Sequence, residues 1–271
     1  MYLFVFNYEI ILRIFRHFWK FIPTYVHSNS FKQSPPMFYR FKSFVFSVAL
    51  LISYSSAQGQ VTEKQYLLGQ FDPTVHPDFI KPADIYTKGS ARNQWMRKEA
   101  YAAFVKMAKE AKKQGISLVI ISATRPFATQ KSIWEKKWKE REALPELERA
   151  KNILLFSSMP GTSRHHWGSD IDINELSNAY FSQGNGLKEY EWLKKNASKY
   201  GFCQTYTSKT DGKRTGYEEE KWHWSYLPLA SHFTKRYEKT VQYADINGFL
   251  GSDLATELQV IEKYVKGVAC P

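Results

Sequence analysis

Apolar residues recur every three or four positions in two long stretches of the chain, which predicts two amphipathic helices. The first helix is expected over 91–114, with an apolar face of Met96, Ala100, Phe104, Met107 and Ala111. The second is expected over 187–200, with an apolar face of Tyr190, Leu193, Ala197 and Tyr200. Each stretch is followed by a glycine, Gly115 or Gly201, and glycine is the residue that most often closes a helix.

Short runs rich in β-branched and aromatic residues predict the strands. We expect them over 116–122, 169–173, 202–206 and 221–226. More polar helices are predicted over 128–142 and 146–156, and the C-terminal part is predicted to be mostly helical, with 253–265 its clearest segment. Helices interleaved with hairpin-linked strands indicate an α+β fold, with a small antiparallel sheet flanked by helices.

The N-terminal part of the chain is apolar and basic, and it falls into two pieces. Residues 37–57 combine a basic start, a short apolar run and small residues before Gln58, which is typical of a secretory signal peptide. Residues 1–36 lack this pattern, and we interpret them as a mis-assigned start upstream of Met37. The alternative is an uncleaved membrane anchor. The signal peptide predicts export to the periplasm or cell envelope.

Charge and cysteine content narrow the function classes. The net charge is +12, and six basic residues and one acid within 1–57 account for five of those charges, so the remainder carries +7. A basic body favours an anionic partner such as nucleic acid, anionic lipid or an acidic cell wall. No nucleic-acid motif occurs, and we expect no nucleic-acid partner.

The two cysteines, Cys203 and Cys270, form no C-x-x-C pair, which excludes a thiolate zinc site. They are either bonded to each other in a disulfide or present as two thiols.

Two short segments concentrate the side chains that can bind a metal, SRHHWGSDID at 163–172 and EKWH at 220–223. A catalytic zinc takes three nitrogen or oxygen ligands and leaves a position for water, whose proton a nearby carboxylate accepts. His165, Asp172 and His223 can be the ligands and Glu220 the base. The spacing does not choose between Asp170 and Asp172, which share one side of a strand, or between the two adjacent histidines.

Glu220 and His223 are three positions apart, so a regular strand would point them to opposite sides. A bend or bulge near Trp222 would bring both side chains into one cleft. We therefore expect an irregularity immediately before the last strand.

These segments resemble the S-x-H-x-x-G-x-A-x-D and E-x-W-H signatures of the VanY-type D-alanyl-D-alanine carboxypeptidases. That family belongs to the M15 zinc metallopeptidases and shares its fold with hedgehog N-terminal domains, and the resemblance covers roughly residues 95–230. It implies a hedgehog/DD-peptidase-like fold with Zn2+ as the cofactor. The residues that match the zinc ligands are His165, Asp172 and His223, and Glu220 matches the general base.

A third stretch, SATRP at 122–126 followed by Gln130, is similar to the family's S-G-x-R segment and its downstream glutamine. The resemblance implies that Arg125 stabilises the oxyanion or grips the substrate, and its planar guanidinium suits a carboxylate. It also implies substrate contacts for Ser163 and Gln130. The chain departs from the family at Asp170, where a small residue, often alanine, is usual. This extra carboxylate is expected either to bond Arg164 or a histidine, or to alter substrate choice.

The resulting domain prediction is a leader over 1–57, an extended lead-in over 58–90, an M15-like catalytic domain over 91–240 and a C-terminal helical extension over 241–271. The implied function is a monomeric carboxypeptidase that trims peptidoglycan stem peptides, with a membrane contact only if the N-terminal segment is uncleaved. The alternatives are an L,D-carboxypeptidase or a peptidoglycan endopeptidase of the same family, or a non-catalytic zinc-containing binding module.

Overall fold

The computed structural model describes residues 61–210, 212 and 214–270. The predicted leader, with its signal peptide, lies outside the described residues. Within the described part of the chain, no helix has the length and apolar character needed to cross a membrane. The α-helices are α1 (Glu63–Leu67), α2 (Lys98–Lys113), α3 (Phe127–Lys139), α4 (Glu146–Ile153), α5 (Gly184–Asn196) and α6 (Leu227–Thr240). The strands are β1 (Phe79–Ile80), β2 (Met96–Arg97), β3 (Ile120–Ser122), β4 (Asp170–Ile173), β5 (Phe202–Gln204) and β6 (His223–Tyr226).

The main sheet has the strand order β3-β4-β6-β5, and every neighbouring pair in it is antiparallel. The short strands β1 and β2 form a separate antiparallel ladder. This arrangement of helices around a small antiparallel sheet confirms the predicted α+β class.

Strand β4 separates an apolar face of the sheet from a polar one. Ile171 and Ile173 are fully buried and belong to a hydrophobic core with residues of α2 and α5. Because successive side chains of a strand point to opposite faces, Asp170 and Asp172 lie on the other side. Asp172 is directly opposite His223 of β6, so the polar face gathers the residues of the two motifs.

Helix α2 has the predicted buried face but begins later than its periodicity suggests. Met96, Ala100, Phe104, Met107 and Ala111 are all fully buried. The helix starts at Lys98 because Met96 pairs with Ile80 in the β1–β2 ladder, where it remains buried while its backbone is extended. Gly115 follows the helix with φ +73°, as expected for a closing glycine.

Within the stretch predicted as an extended lead-in, residues 63–67 form helix α1. Thr62 caps it in a reciprocal capping box with Gln65, a signal that the nearby prolines obscured. Helix α1 supports the turn that carries the first motif: the Tyr66 hydroxyl donates to the Trp167 carbonyl at 2.7 Å, and Trp167 Nε1 donates to the Leu67 carbonyl at 3.1 Å.

The last part of the chain belongs to a second hydrophobic core, in which Trp134 and Trp138 of α3 pack with Val260 and Val265. The segment 253–265, predicted as the clearest helical part of the C-terminal region, consists of helical turns and is not one continuous α-helix. Gln259 has φ +51°, which interrupts an α-helix, and a 3-10 turn (Ser252–Ala255) and a π-helical turn (Ile261–Val265) lie on either side of it. Cys270 forms a disulfide with Cys203 of β5, which decides the alternative left open by the sequence.

Candidate metal centre

The first predicted ligand, His165, lies in a buried 3-10 turn (Arg164–Trp167). Its Nδ1 is 2.8 Å from the carbonyl oxygen of Ala123. A carbonyl can only accept, so Nδ1 donates the proton and Nε2 keeps its lone pair. Nε2 is buried without a hydrogen-bond partner, and it lies 3.4 Å from Asp172 Oδ1. A buried nitrogen with a free lone pair is what a metal ligand requires.

The other two predicted ligands face each other across the β4–β6 ladder. Asp172 and His223 are directly paired in register, and His223 Nδ1 is 3.1 Å from Asp172 Oδ1. One ligand atom from each of His165, Asp172 and His223 can be chosen so that all lie within 4.8 Å of one another. The structure therefore brings together the three residues of the predicted set.

This donor set fits a zinc ion. Two imidazoles and one carboxylate are borderline and hard donors of the kind that zinc accepts, and three protein ligands leave a coordination position for water. The unpartnered Nε2 of His165 is the observation that supports the fit, because a buried polar atom normally has a partner. The three residues could thus hold one divalent cation.

Glu220 lies beside this group because the chain bends before β6. The His223 amide donates to the Glu220 carbonyl at 3.3 Å, which closes a turn over residues 220–223. The expected irregularity is therefore present, and Glu220 Oε2 lies 3.6 Å from His223 Nδ1. Burial raises the pKa of Glu220 to about 8, and the neighbouring His223 opposes that shift.

The two histidines and Asp172 influence each other's protonation. Burial lowers the pKa of His165, and the nearby Arg125 adds to this effect. Burial alone would raise the pKa of Asp172, but the close approach of the imidazoles of His165 and His223 outweighs burial and holds the pKa below its usual range. Asp172 is consequently an ionised acceptor in the middle of the group.

A cavity of about 690 Å³ opens onto this group, and its lining includes Arg125, Lys137, His165, Asp172 and Glu220. Arg125 follows β3, and its backbone amide donates to the His165 carbonyl at 3.1 Å. Its side chain contacts Ser122 Oγ at 3.4 Å, and its Nε is buried without a hydrogen-bond partner. The guanidinium can therefore still take an acceptor from a ligand in the cavity.

Ser163 and Gln130, the two predicted substrate-binding residues, occupy different positions. Ser163 lines a small cavity next to Arg125 and Glu220, and its buried Oγ has no hydrogen-bond partner. Gln130 is not among the lining residues of either cavity. Its amide nitrogen donates to the Ser158 carbonyl at 2.8 Å, so the side chain holds the loop that leads to Ser163.

The structure also distinguishes the residues that spacing left equivalent. Both ring nitrogens of His166 are engaged: Nδ1 lies 2.6 Å from the Arg125 carbonyl, and Nε2 accepts from the Gly161 amide at 3.0 Å. Asp170 is fully buried, and its carboxylate contacts Arg164, Ser169, Ser225 and Nε2 of His223. His166 therefore has no free ring nitrogen to offer a metal, and Asp170 reaches the group of three only at His223 Nε2.

The family model named VanY, D-alanyl-D-alanine carboxypeptidase, matches residues 93–229, which is just over half of the 271-residue chain. The chain belongs to the VanY family. The matched range contains the full candidate site, from Arg125 to His223.

Relatives of this VanY chain include YodJ of Bacillus subtilis (strain 168), which is 31% identical over 62% of this chain and 59% of YodJ. A D-alanyl-D-alanine carboxypeptidase of Enterococcus faecalis (strain ATCC 700802 / V583) is 30% identical over 44% of this chain and 43% of that protein. The chain thus spans less than two thirds of the length of these relatives. Among solved structures, the LdcB LD-carboxypeptidase has 25% identity and a TM-score of 0.47, covering 64% of this chain and 81% of that chain.

Proposed function

We propose that this chain is a zinc-dependent D-alanyl-D-alanine carboxypeptidase that trims peptidoglycan stem peptides. The observation that carries the proposal is the convergence of His165, Asp172 and His223 beside Glu220, in a VanY domain and at the wall of a substrate-sized cavity. The presence of both the ligand set and an adjacent buried carboxylate supports an enzyme over a non-catalytic binding module.

The metal would be held by His165 Nε2, a carboxylate oxygen of Asp172 and His223 Nδ1. Bound zinc supplies Lewis acidity, which acidifies water and polarises a scissile carbonyl. Around it, Asp172 contributes the negative charge of the ligand set, and the Ala123 carbonyl fixes the orientation of His165.

Glu220 is the general base in this proposal. Its carboxylate accepts the proton of the attacking water and then delivers that proton to the departing amine. Burial favours the protonated carboxyl, whereas a cation next to it favours the carboxylate, so the two influences act in opposite directions on its pKa. Such a balance suits a group that must both accept and release one proton in each turnover.

Two cationic side chains in the cavity favour a substrate that ends in a free carboxylate. Arg125 and Lys137 both line the cavity. Lys137 is half-buried on α3, and among the described residues it has no ion-pair partner. Burial lowers the pKa of Lys137, and the nearby Arg125 lowers it further. A carboxylate bound between them would relieve this repulsion, as the terminal carboxylate of a stem peptide would.

The disulfide supports the proposed export of the protein. Structural disulfides form and persist in oxidising compartments outside the cytosol. Cys203 and Cys270 are bonded in this chain, which is consistent with action in the periplasm or cell envelope. N-terminal sequencing of the protein recovered from that compartment would test the predicted cleavage after Ala57, and recovery of an intact N-terminus would contradict it.

The activity is tested with defined muropeptides and the zinc-loaded protein, with products identified by mass spectrometry. We expect release of one D-alanine from a pentapeptide stem that ends in D-Ala-D-Ala. Removal of D-alanine from the tetrapeptide alone would identify an L,D-carboxypeptidase, and cleavage of a cross-linked dimer would identify an endopeptidase. Binding of a muropeptide without any product would identify a binding module. Each of these three results contradicts the proposal.

A further inference from the structure

Asp170 is a fully buried carboxylate that lies behind the candidate metal site rather than in it. It accepts hydrogen bonds from Ser169 Oγ at 2.7 Å, from Arg164 Nε at 3.2 Å and from Ser225 Oγ. A side chain surrounded by three donors acts as an acceptor. Its remaining contact is with His223 Nε2, 3.0 Å from Asp170 Oδ2.

This contact determines which nitrogen of His223 can bind a metal. Because Asp170 accepts, Nε2 must carry the proton, and the neutral ring then has its lone pair on Nδ1. Nδ1 is the nitrogen that faces Asp172 Oδ1 at 3.1 Å and Glu220 Oε2 at 3.6 Å. We infer that Asp170 is a positioning residue that fixes His223 in the tautomer presenting Nδ1 to the metal. The inference rests on the zinc site of the proposed function.

The surroundings of Asp170 make it a rigid support for His223. The guanidinium of Arg164 balances its charge, and it is itself fixed by donating to Thr234 Oγ1 of α6 at 2.8 Å and to Ser225 Oγ at 3.3 Å. The Arg164 guanidinium carbon also lies 4.9 Å from the centre of the Trp167 ring. Buried carboxylates are tolerated when they are paired and fully hydrogen-bonded, and this one is held from β4, β6 and α6.

Different acceptors thus hold the two candidate histidine ligands in opposite tautomers. A backbone carbonyl, that of Ala123, accepts from Nδ1 of His165 and leaves Nε2 for the metal. A carboxylate, that of Asp170, accepts from Nε2 of His223 and leaves Nδ1. A carboxylate behind a metal-binding imidazole also increases the basicity of the ligating nitrogen. An alanine at position 170, as the family signature has, would provide neither effect.

The test is the zinc affinity of the Asp170→Ala variant, measured by competition with a chromophoric chelator. Asp170 Oδ2 is the atom that faces both Arg164 Nε and His223 Nε2, and an alanine has no acceptor at that place, so nothing fixes the proton of His223 on Nε2. Loss of such a partner typically costs 10–100-fold in metal affinity, and we expect a weakening in about that range. The matched control is Ser169→Ala, which removes a donor to Asp170 without contacting His223 and should leave the affinity close to wild type.

A second measurement does not depend on the variant folding. In zinc-loaded wild-type protein labelled with ¹⁵N-histidine, the His223 signals should show a protonated Nε2 and a metal-bound Nδ1. A metal-bound Nε2, or an Asp170→Ala variant with unchanged zinc affinity, would overturn the inference while leaving the zinc site intact. Failure of the wild-type protein to bind zinc would overturn the proposed function together with this inference.

Discussion

At the scale of single residues, the candidate site depends on which atoms are already engaged and which are free. His165 Nε2, Arg125 Nε and Ser163 Oγ are buried without hydrogen-bond partners, and all three residues line cavities at the site. Buried polar atoms are normally satisfied, so these free atoms indicate where a cation, an oxyanion or a substrate terminus would be bound. His166 is adjacent in sequence but has both nitrogens engaged, which removes it from the chemistry.

The first prediction at this scale concerns Glu220. In the Glu220→Gln variant the side chain keeps its shape but cannot accept a proton, so turnover should fall about 10²–10⁴-fold, the usual contribution of a general base. Zinc content, measured by atomic absorption, should stay at the wild-type level because Glu220 is not one of the three ligands. The control is Glu219→Gln in the same acidic run, which should retain activity. Unchanged turnover in Glu220→Gln would remove Glu220 from the mechanism.

The second prediction concerns Lys137. If its ammonium binds the substrate carboxylate, the Lys137→Met variant loses a hydrogen bond to a charged group, worth roughly 1.5–3 kcal/mol. We expect KM for the pentapeptide to rise about tenfold or more, with kcat less affected. Lys136→Met is the control, because Lys136 is an exposed neighbour that lies 4.0 Å from Glu140. If KM of the Lys137→Met variant is no higher than that of the Lys136→Met control, Lys137 does not bind the substrate.

At the scale of elements, the sequence predicts buried helix faces well, because apolar periodicity reflects burial. It predicts helix boundaries less well, because pairing with distant residues sets them. The apolar spacing gave the face of α2, with four of its five predicted residues within the helix. It gave only part of the face of α5: Tyr190 and Leu193 are buried in the helix, whereas Ala197 and Tyr200 lie in a 3-10 turn (Ala197–Tyr200) that follows it. The start of α2 did not follow, because the β1–β2 ladder takes up Met96 and Arg97. Likewise, the helical prediction over 253–265 could not reveal the positive φ of Gln259, which interrupts the segment.

The same distinction applies to the site. Motif resemblance selected His165, Asp172, His223 and Glu220, and the structure brings them together. The role of Asp170 could not follow from spacing, because two residues on one side of a strand look equivalent until the partner strand is placed. In the β4–β6 register, Asp172 lies opposite His223 and Asp170 opposite Ser225, so one carboxylate reaches each nitrogen of the same imidazole.

At the scale of the whole molecule, the functional face of the sheet is supported from both sides. The core formed with α2 and α5 packs under the apolar face of β4, whereas the second core includes Trp167 from the turn that carries His165. The C-terminal residues complete this second core and then return to the sheet, where Cys270 is bonded to Cys203 of β5. Strand β5 pairs with β6, which carries His223, so the disulfide is one strand away from the site.

The third prediction belongs to this scale and concerns the Cys203–Cys270 disulfide. The bond spans a sequence separation of 67, and restricting a loop of that size in the unfolded chain stabilises the fold by about 4 kcal/mol. In urea titrations under oxidising conditions, the free energy of unfolding of the double variant Cys203→Ser, Cys270→Ser should therefore be lower than that of the wild type by about this amount. Because β5 remains paired with β6 through backbone hydrogen bonds, the variant should still bind zinc and turn over substrate well below its melting temperature. Reduced wild-type protein is the matched control and should unfold at the same urea concentration as the variant. Equal stability of the oxidised wild type and the variant would mean that the disulfide does not stabilise the fold.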